Sequence, residues 1–222
     1  MIPSVRTFCG SPAQHHSLAV PSPSAAELWV LDADCSALVL GSRQSIAVAD
    51  AEACRRAGVD VVRRRSGGGA VLVEPEAMTW VDVIVPSGDD RWTDDVVASM
   101  RWCGEQWLRA LAAIGADGAG TLEVCTSSMP QTDVSDLVCF GGLAAGEVTS
   151  GGAKLVGISQ RRTRQAARFQ CAVHHTWRPR RLLALLAPPR PTLEVLEALP
   201  VAVVDRAARP ALLDALTEAF GA

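Results

Sequence analysis

The chain has 222 residues, of which 49 % are hydrophobic, and its formal net charge is −3. This length fits one medium-sized domain with a sizeable core, and a slightly acidic chain is not expected to bind nucleic acid through overall charge. No apolar run approaches the ~18 residues of a membrane span, and the start lacks a signal-peptide pattern. Seven cysteines without a C-x-x-C pair give no zinc or disulfide framework. The sequence therefore predicts a cytoplasmic protein without a membrane or nucleic-acid partner.

The first part of the chain predicts short strands and one helix. Residues 1–26 are expected to form an irregular lead-in, because the stretch from residue 10 is rich in Ser, Pro, Ala and His. A turn at residues 41–45 opens a predicted helix over about 47–57. Short apolar runs predict strands at Leu28–Leu31, Ala37–Leu40 and Val59–Val62, and a pair formed by Val71–Val73 and Trp80–Val85 around Glu74-Pro75-Glu76.

Between two of these strands, Arg63-Arg64-Arg65-Ser66 runs into three consecutive glycines. Arginine supplies fixed positive forks that suit phosphate or carboxylate oxygens. Glycine lets a backbone approach a ligand closely and offer its N–H groups. The segment predicts an anion-binding loop, and a tight glycine turn with solvated arginines is the alternative. It is neither a P-loop nor the Rossmann fingerprint, because the required glycine and lysine spacings are absent.

The later part of the chain predicts one long helix, several strands and a helical end. Apolar residues from Trp92 to Leu111 recur at three- or four-residue spacing, which predicts an amphipathic helix over about 92–114. Further strands are predicted at Leu122–Cys125, Leu137–Phe140, Lys154–Ile158 and Phe169–Val173, and helices at about 179–187, 192–199 and 209–220. This order favours the α+β class.

Lys154 is the only lysine in the sequence. Lysine is a compact point charge whose pKa shifts on burial, so a lone lysine among many arginines suggests a role that arginine cannot fill. Arg161, Arg162 and Arg164 follow it and predict either a solvated basic face or a surface that attracts an acidic acceptor. His174-His175 is interpreted as a polar strand end rather than as catalytic.

Three ordered segments resemble the lipoate–protein ligase A family of the biotin/lipoate ligase superfamily. Val39-Leu40-Gly41-Ser42-Arg43-Gln44 matches its LGxxQ turn, the loop from Arg64 to Gly69 its RRxSGGGxV loop, and the segment from Gly151 to Arg162 its GxKxxGxxQ strand. The resemblance spans about residues 38–173. It implies a class II synthetase and biotin-ligase-like fold with a central mixed β-sheet flanked by helices. A catalytic domain is expected over residues 27–178, with residues 179–222 as its helical C-terminal part.

The resemblance also implies a reaction. Lipoate and ATP, with Mg²⁺, give lipoyl-AMP, and the lipoyl group moves to a lysine of an apo lipoyl domain of a 2-oxo-acid dehydrogenase or of the glycine-cleavage H protein. Lys154 matches the lysine that contacts the lipoyl carbonyl and the adenylate. No carboxylate cluster indicates a metal site. The residues expected to bind the nucleotide and acyl group are Arg64, Ser66, Gly67, Gly68, Gly69, Ala70, Val71, Leu72 and Lys154.

The sequence departs from the family pattern at two places. Val73 stands where many members have a histidine. Two-domain ligases add a C-terminal accessory domain, whereas this chain ends at Ala222 after a short helical tail. Either a separate accessory protein supplies that function, or the protein does not make its own adenylate.

The second possibility leads to an alternative function. Related octanoyltransferases carry octanoyl from acyl carrier protein on a cysteine thioester, and Cys139-Phe140 lies upstream of Lys154 as in the type that resembles ligase A. A thiolate near a lysine is a plausible nucleophile, although a buried structural cysteine is equally familiar. A non-catalytic lipoate-binding protein is the third hypothesis. Biotin is disfavoured, because the G-R-G-R-x-G-R-type pattern is absent.

Overall fold

A computed structural model describes residues 3–20, 25–116, 120–127, 129 and 132–221. The strands are β1 (Ser4–Gly10), β2 (Glu27–Ala33), β3 (Ala37–Leu40), β4 (Asp60–Arg63), β5 (Val71–Val73), β6 (Met78–Pro86), β7 (Leu122–Val124), β8 (Val148–Ser150), β9 (Ala153–Arg162) and β10 (Ala166–His174). The α-helices are α1 (Pro12–Ser17), α2 (Ala51–Arg56), α3 (Val96–Ala113), α4 (Asp133–Leu137), α5 (Pro179–Ala184), α6 (Leu193–Glu197) and α7 (Arg209–Gly221). Short 3-10 turns span Ile46–Val48, Cys139–Gly141 and Arg206–Ala208.

The strands form two mixed sheets. The large sheet has the order β1-β2-β6-β10-β9-β8-β7, in which β1 and β2 are parallel and the other neighbours are antiparallel. The small sheet has the order β4-β3-β5, with β3 parallel to β4 and antiparallel to β5. The predicted α+β class with a mixed sheet flanked by helices is confirmed. Within the described residues, no helix is both long and apolar enough to cross a membrane.

Strand alternation distributes the apolar side chains over three cores. On β6, Val81, Val83 and Val85 face a core shared with α3 and α7, whereas Trp80 and Ile84 face the small sheet. The outer face of the small sheet packs against α5 and α6. The layers are therefore α3 with α7, the large sheet, the small sheet, and α5 with α6. The helical C-terminal part contributes to the outermost layers on both sides.

The expectation of an irregular segment over residues 1–26 is wrong for the part that is described; residues 1, 2 and 21–24 of this segment lie outside the described residues. The segment holds strand β1 and helix α1, and Ser11 and Gln14 form a capping box that starts α1. Arg168 on β10 donates to the carbonyls of His15 and Leu18, which fixes α1 against the large sheet.

Other predicted elements differ in detail. Leu137–Phe140 is not a strand, because Thr132 caps α4 and the chain then makes a 3-10 turn. The strands β5 and β6 do not pair with each other, since a turn with Glu76 at a φ of 60° carries the chain from one sheet to the other. The predicted first helix is a 3-10 turn followed by α2, which starts at its cap Asp50. The long helix starts after its cap Asp95 rather than near residue 92.

Candidate active site

The side chain of Arg64 supports the glycine loop between β4 and β5. The Arg64 side chain is buried, and its guanidinium donates to the carbonyls of Val39, Gly67 and Gly69. These bonds hold the loop in a fixed shape. Burial lowers the pKa of Arg64. Arg64 therefore supports the loop. Its side chain also lines part of an apolar cavity.

The glycines of the loop allow two close backbone contacts. A Cβ on Gly69 would lie 2.6 to 2.7 Å from the backbone of Val138 and Cys139, and one on Gly41 would lie within 1.9 Å of the carbonyl oxygen of Gly68. Gly68 also has a φ of +94°, which side chains rarely adopt. Within the described residues, the N–H groups of Gly67, Gly68 and Gly69 have no hydrogen-bond acceptor. An anion bound beside the loop would therefore contact these N–H groups.

Lys154 on β9 is buried with its charge retained. Its Nζ lies 2.8 Å from Oε2 of Glu147 and donates to the carbonyl oxygens of Cys139, at 2.8 Å, and Gly142, at 3.0 Å. The ammonium also lies 4.9 Å from the ring centroid of Phe140. Burial lowers the pKa of Lys154, but the charge of Glu147 and the hydrogen bond to it outweigh burial, so the pKa is raised. Its three N–H donors all have protein acceptors.

Glu147 is a site residue that the sequence analysis missed. Its side chain is buried, and besides pairing with Lys154 it accepts hydrogen bonds from the backbone N–H groups of Ala144 and Ile158. A single carboxylate in an otherwise apolar and glycine-rich segment shortly before the lone lysine was the available signal. A buried carboxylate needs a partner of opposite charge, and Lys154 was the obvious one.

An apolar cavity lies between the two sheets. Its floor is open because Gly157 on β9 and Ala172 on β10 carry little or no side chain. Its walls include Val39, Val71, Val73, Met78, Trp80 and Cys139. Such a cavity suits an unbranched apolar chain.

A second, polar cleft opens next to the apolar cavity. It is lined by Gly67, Gly68, Gly69, Glu147, Lys154 and Gln160, among others. Cys139, Ile158 and Ser159 line both spaces. The Cys139 thiol therefore lies at the boundary between an apolar cavity and a cleft that contains the buried ammonium.

Four polar side chains next to the apolar cavity are linked by hydrogen bonds. Ser159 donates to Oγ of Ser66, Ser66 donates to Oε1 of Gln170, and Nε2 of Gln170 lies 3.2 Å from Nδ1 of His16. Burial, together with the charges of Arg168 and Arg64, lowers the pKa of His16 to about 3. His16 is therefore uncharged at neutral pH. These bonds tie Ser66 to Ser159 and Gln170, two residues that line the apolar cavity.

Two of the remaining predicted loop residues, Val71 and Leu72, face opposite sides of the small sheet. Ala70 is buried and exchanges hydrogen bonds with the 137–139 segment. Val71 lines the apolar cavity, whereas Leu72 packs in the core on the opposite face of the small sheet. The side chain of Leu72 is thus not part of the site.

The predicted basic residues Arg161, Arg162 and His174 have different surroundings. Partial burial and the charges of Arg65 and Arg168 lower the pKa of Arg161. Arg162 stacks 4.1 Å over the Trp92 ring and donates to backbone carbonyls. His174 is buried against Phe140, which fits a packing role. In the described part of the chain, no three His, Cys, Asp or Glu side chains could hold a metal ion together.

Comparisons with known proteins give the family. The model of the lipoyl protein ligase A/B catalytic domain matches residues 17–197. A lipoate–protein ligase A structure with bound ATP superposes with a TM-score of 0.73 at 17 % identity, covering 99 % of this chain and 86 % of that chain. A putative lipoate protein ligase from T. acidophilum with bound lipoic acid has a TM-score of 0.70 at 16 % identity, covering 98 % and 85 %.

A third structure, P. falciparum LipL1 in complex with lipoate, has a TM-score of 0.63 at 13 % identity and covers 98 % of this chain and 61 % of that chain. A search of curated proteins found no match. At these identities the solved structures establish the shared fold, and the family model establishes the lineage. The chain belongs to the lipoyl protein ligase A/B catalytic-domain family, and it is an enzyme of the lipoate–protein ligase type or a related transferase.

Proposed function

We propose that this protein activates lipoate with ATP and transfers the lipoyl group from lipoyl-AMP to a lysine of an apo lipoyl domain. One observation carries the proposal: the buried ammonium of Lys154 lies in the cleft that adjoins the apolar cavity. The cavity suits the hydrocarbon chain of lipoate. The cleft offers the ammonium and the N–H groups of the glycine loop to phosphate and carboxylate oxygens.

In this proposal Lys154 stabilises the charge that develops between the lipoate carboxylate and the α-phosphate. A substrate oxygen reaches Nζ by replacing the carbonyl oxygen of Cys139 or Gly142. Glu147 stays in place, because a charge-assisted bond to a carboxylate is stronger than one to a backbone carbonyl. The Arg64-braced loop keeps its N–H groups oriented, so little reorganisation accompanies the reaction.

The solved structures of similar fold support the choice of ligands. One contains ATP and another contains lipoic acid. A further one is described as a bi-partite lipoate protein ligase and its E2 lipoyl domain from Thermoplasma acidophilum. We propose lipoyl domains of 2-oxo-acid dehydrogenases or the glycine-cleavage H protein as acceptors in the cytoplasm, and a separate accessory protein as a partner. Mg²⁺ would bind mainly through the ATP phosphates, as is usual for this ion.

A second candidate function rests on the position of Cys139. Its thiol lies at the boundary of the two spaces, near the side chains of Arg64 and Lys154. The thiolate would attack the thioester carbonyl of octanoyl–acyl carrier protein, and the carrier thiol would leave. The amine of the acceptor lysine would then attack the new thioester and release the Cys139 thiolate, while the amine proton passes to solvent.

One assay separates these hypotheses. The purified protein is incubated with an apo lipoyl domain and either lipoate, ATP and Mg²⁺ or octanoyl–acyl carrier protein without ATP, and the acceptor mass is measured. We expect modification with lipoate and ATP, and loss of at least about 100-fold in rate for Lys154→Ala, since a buried charge that stabilises the transition state is removed. Lys154→Ala that retains full transfer would contradict the site assignment.

The other outcomes are equally informative. Modification only by octanoyl–acyl carrier protein, lost in Cys139→Ser, would replace the ligase by the thioester transferase. Lipoate binding without transfer from either donor would identify a binding protein. Because a separate partner is part of the proposal, a negative ligase result counts once a candidate accessory protein has been added.

A further inference from the structure

We propose that residues 200–204 form a positioning segment that holds the backbone of Lys154 in the active site, with Ala202 as its positioning residue. The inference rests on the proposed function, because it assigns the reaction to the Lys154 ammonium. These residues connect α6 to the 3-10 turn before α7. They lie beyond residue 197, where the match to the family ends. We refer to them below as the strap.

The strap pairs with Lys154 where β9 has lost a neighbouring strand. Within the described residues, β10 pairs with β9 only as far as Val156, two residues after the lysine. The strap takes the place of β10 there, and Val201 forms a parallel bridge to Lys154. The N–H of Lys154 donates to the carbonyl of Pro200 at 2.7 Å, and the N–H of Ala202 donates to the carbonyl of Lys154 at 2.9 Å. The strap therefore satisfies both backbone polar groups of the lysine.

The other side of β9 supports this position less firmly. Lys154 pairs there with Thr149 of β8, beside a register shift between Val148 and Thr149. The preceding turn contains Gly151 and Gly152, with φ values of +55° and +81°. An irregular pairing and a glycine turn both allow a strand to bend. The backbone hydrogen bonds that hold Lys154 in place are thus those to the strap.

The strap is itself anchored at both ends. Before it, Leu199 packs against the core shared by the small sheet, α5 and α6. At its end, Val204 is buried in the core of α3 and α7. The N–H of Val204 donates to the carbonyl of His174 at 2.9 Å, and its carbonyl accepts from Nδ1 of His175 at 2.8 Å. The strap therefore fixes Lys154 relative to both outer layers of the fold.

The place of the Lys154 backbone decides where its ammonium lies. Nζ has three protein acceptors at 2.8 to 3.0 Å, which are Oε2 of Glu147 and the carbonyls of Cys139 and Gly142. A shift of β9 by about 1 Å would disturb these contacts, and a misplacement of that size can lower a reaction rate by about 100-fold. The strap acts through Lys154 rather than by contact with a substrate.

Proline substitutions test the strap because proline has no N–H to donate. Ala202→Pro removes the hydrogen bond to the carbonyl of Lys154. Val203→Pro is the matched control, since Val203 is 49 % exposed and its N–H has no acceptor among the residues that the structure describes. His175→Leu is a second test variant, which weakens the anchor at Val204 and leaves the sequence of the strap unchanged. Circular dichroism verifies that each variant is folded.

A spectroscopic readout follows from the composition, because Lys154 is the only lysine. Protein labelled with ¹⁵N-lysine gives a single backbone amide signal, which belongs to this residue. Its exchange with deuterated water should be slow in the wild-type protein and in Val203→Pro, since the N–H donates to Pro200. Exchange should be about tenfold faster in Ala202→Pro, and faster in the same direction in His175→Leu, because the hydrogen bond is weakened.

The activity readout separates the position of the lysine from substrate binding. In lipoyl transfer to an apo lipoyl domain, kcat of Ala202→Pro should fall at least about tenfold, because the ammonium is displaced. The KM for lipoate should change by less than about twofold, since the apolar cavity is unaltered. Val203→Pro should keep the wild-type values of both constants.

Unchanged exchange of the Lys154 amide in folded Ala202→Pro overturns the inference. A kcat equal to that of Val203→Pro, or a raised KM with unchanged kcat, also overturns it. If Ala202→Pro does not fold, His175→Leu decides by the same two readouts. The proposed function fails separately: if exchange changes as expected but the wild-type protein transfers no lipoyl group with an accessory protein present, the strap holds Lys154 and the ligase activity is refuted.

Discussion

At the residue scale, the site depends on one buried ion pair. Lys154 keeps its charge in the interior because Glu147 lies 2.8 Å from its Nζ, and Glu147 is itself held by two backbone N–H groups. The lone lysine was predicted from its rarity and its motif, whereas its partner was missed, although a single carboxylate in a glycine-rich segment was the available signal. Removing one member of a buried pair leaves an unpaired charge, which costs more than the pair contributes.

The first prediction therefore concerns Glu147. Glu147→Gln should lower the free energy of unfolding by about 3 kcal/mol, measured by urea denaturation at neutral pH. Glu52→Gln is the control, because Glu52 forms exposed helix pairs with Arg55 and Arg56, and it should change stability by less than about 0.5 kcal/mol. Equal effects of the two substitutions would contradict a buried, mutually dependent pair.

The pH dependence of this pair has a definite sign. The pKa of Lys154 is raised above its ordinary value, so the stability that it contributes is fully present below about 10.5 and is lost only as the pH rises through the higher folded value. Lys154 therefore adds no pH dependence between pH 6 and 9 in the wild-type protein. In Glu147→Gln, burial would lower the pKa of Lys154 without an opposing carboxylate. The free energy of unfolding should then depend on pH within the alkaline part of that range.

At the scale of elements, the site is assembled where the glycine loop meets the 137–139 segment. Ala70 exchanges backbone hydrogen bonds with that segment, and Gly69 lies against Val138 and Cys139. The apolar run from Leu137 to Phe140 predicted a strand, but the capped α4 and the 3-10 turn determine its path. That path points the carbonyl of Cys139 at Lys154.

The second prediction tests this contact. In Gly69→Ala the new methyl group would lie within 2.7 Å of backbone atoms, so the 137–139 segment must move away from Lys154. We expect acyl transfer to fall at least about tenfold, and the melting temperature to drop, because overpacking a rigid contact costs about 1 to 3 kcal/mol.

Gly88→Ala is the control for that substitution. A Cβ at Gly88 meets no atom within 4 Å, and this turn lies outside the site. Transfer and melting temperature should stay close to the wild-type values. A Gly69→Ala protein with normal transfer would show that the loop and the 137–139 segment need not be in close contact.

At the scale of the whole molecule, the cavity lies where the two sheets face each other over the small residues Gly157 and Ala172. Arg168 pairs with Asp82 at 2.5 Å inside the large sheet and also donates to α1, which brings His16 to the cavity. His174 is buried at the C-terminal end of β10, and its Nε2 has no hydrogen-bond partner among the residues that the structure describes. Both histidines are uncharged in the folded protein.

The third prediction is acid sensitivity from these two histidines. Their pKa values are lowered to about 3 for His16 and about 4 for His174, mainly by burial. An unfolded histidine has a pKa of about 6.5, so the unfolded chain binds protons first as the pH falls. Stability is thus complete above about pH 6.5 and is lost progressively down to about pH 4, by about 1.4 kcal/mol per pH unit for each histidine.

Replacing His174 isolates the contribution of this histidine to the pH dependence of the free energy of unfolding. Between pH 7.5 and pH 5, the wild-type protein should lose about 2 kcal/mol more unfolding free energy than His174→Leu, measured by denaturant titration at both pH values. The carboxylates contribute equally to both proteins, so the difference reports His174 alone. Identical losses in the two proteins would mean that His174 binds a proton in the folded state.

The sequence by itself determined the features that neighbours in the chain encode: the α+β order of elements, the LGxxQ turn, the glycine loop, the lone lysine and the family. These depend on local backbone chemistry and short apolar patterns. Only the tertiary structure decided that Arg64 braces the loop, that Glu147 pairs with Lys154, and that Cys139 lies between two spaces. It also decided that Val73, Met78 and Trp80 meet, because strand pairing and sheet packing bring together residues from different elements, and no local pattern specifies which ones.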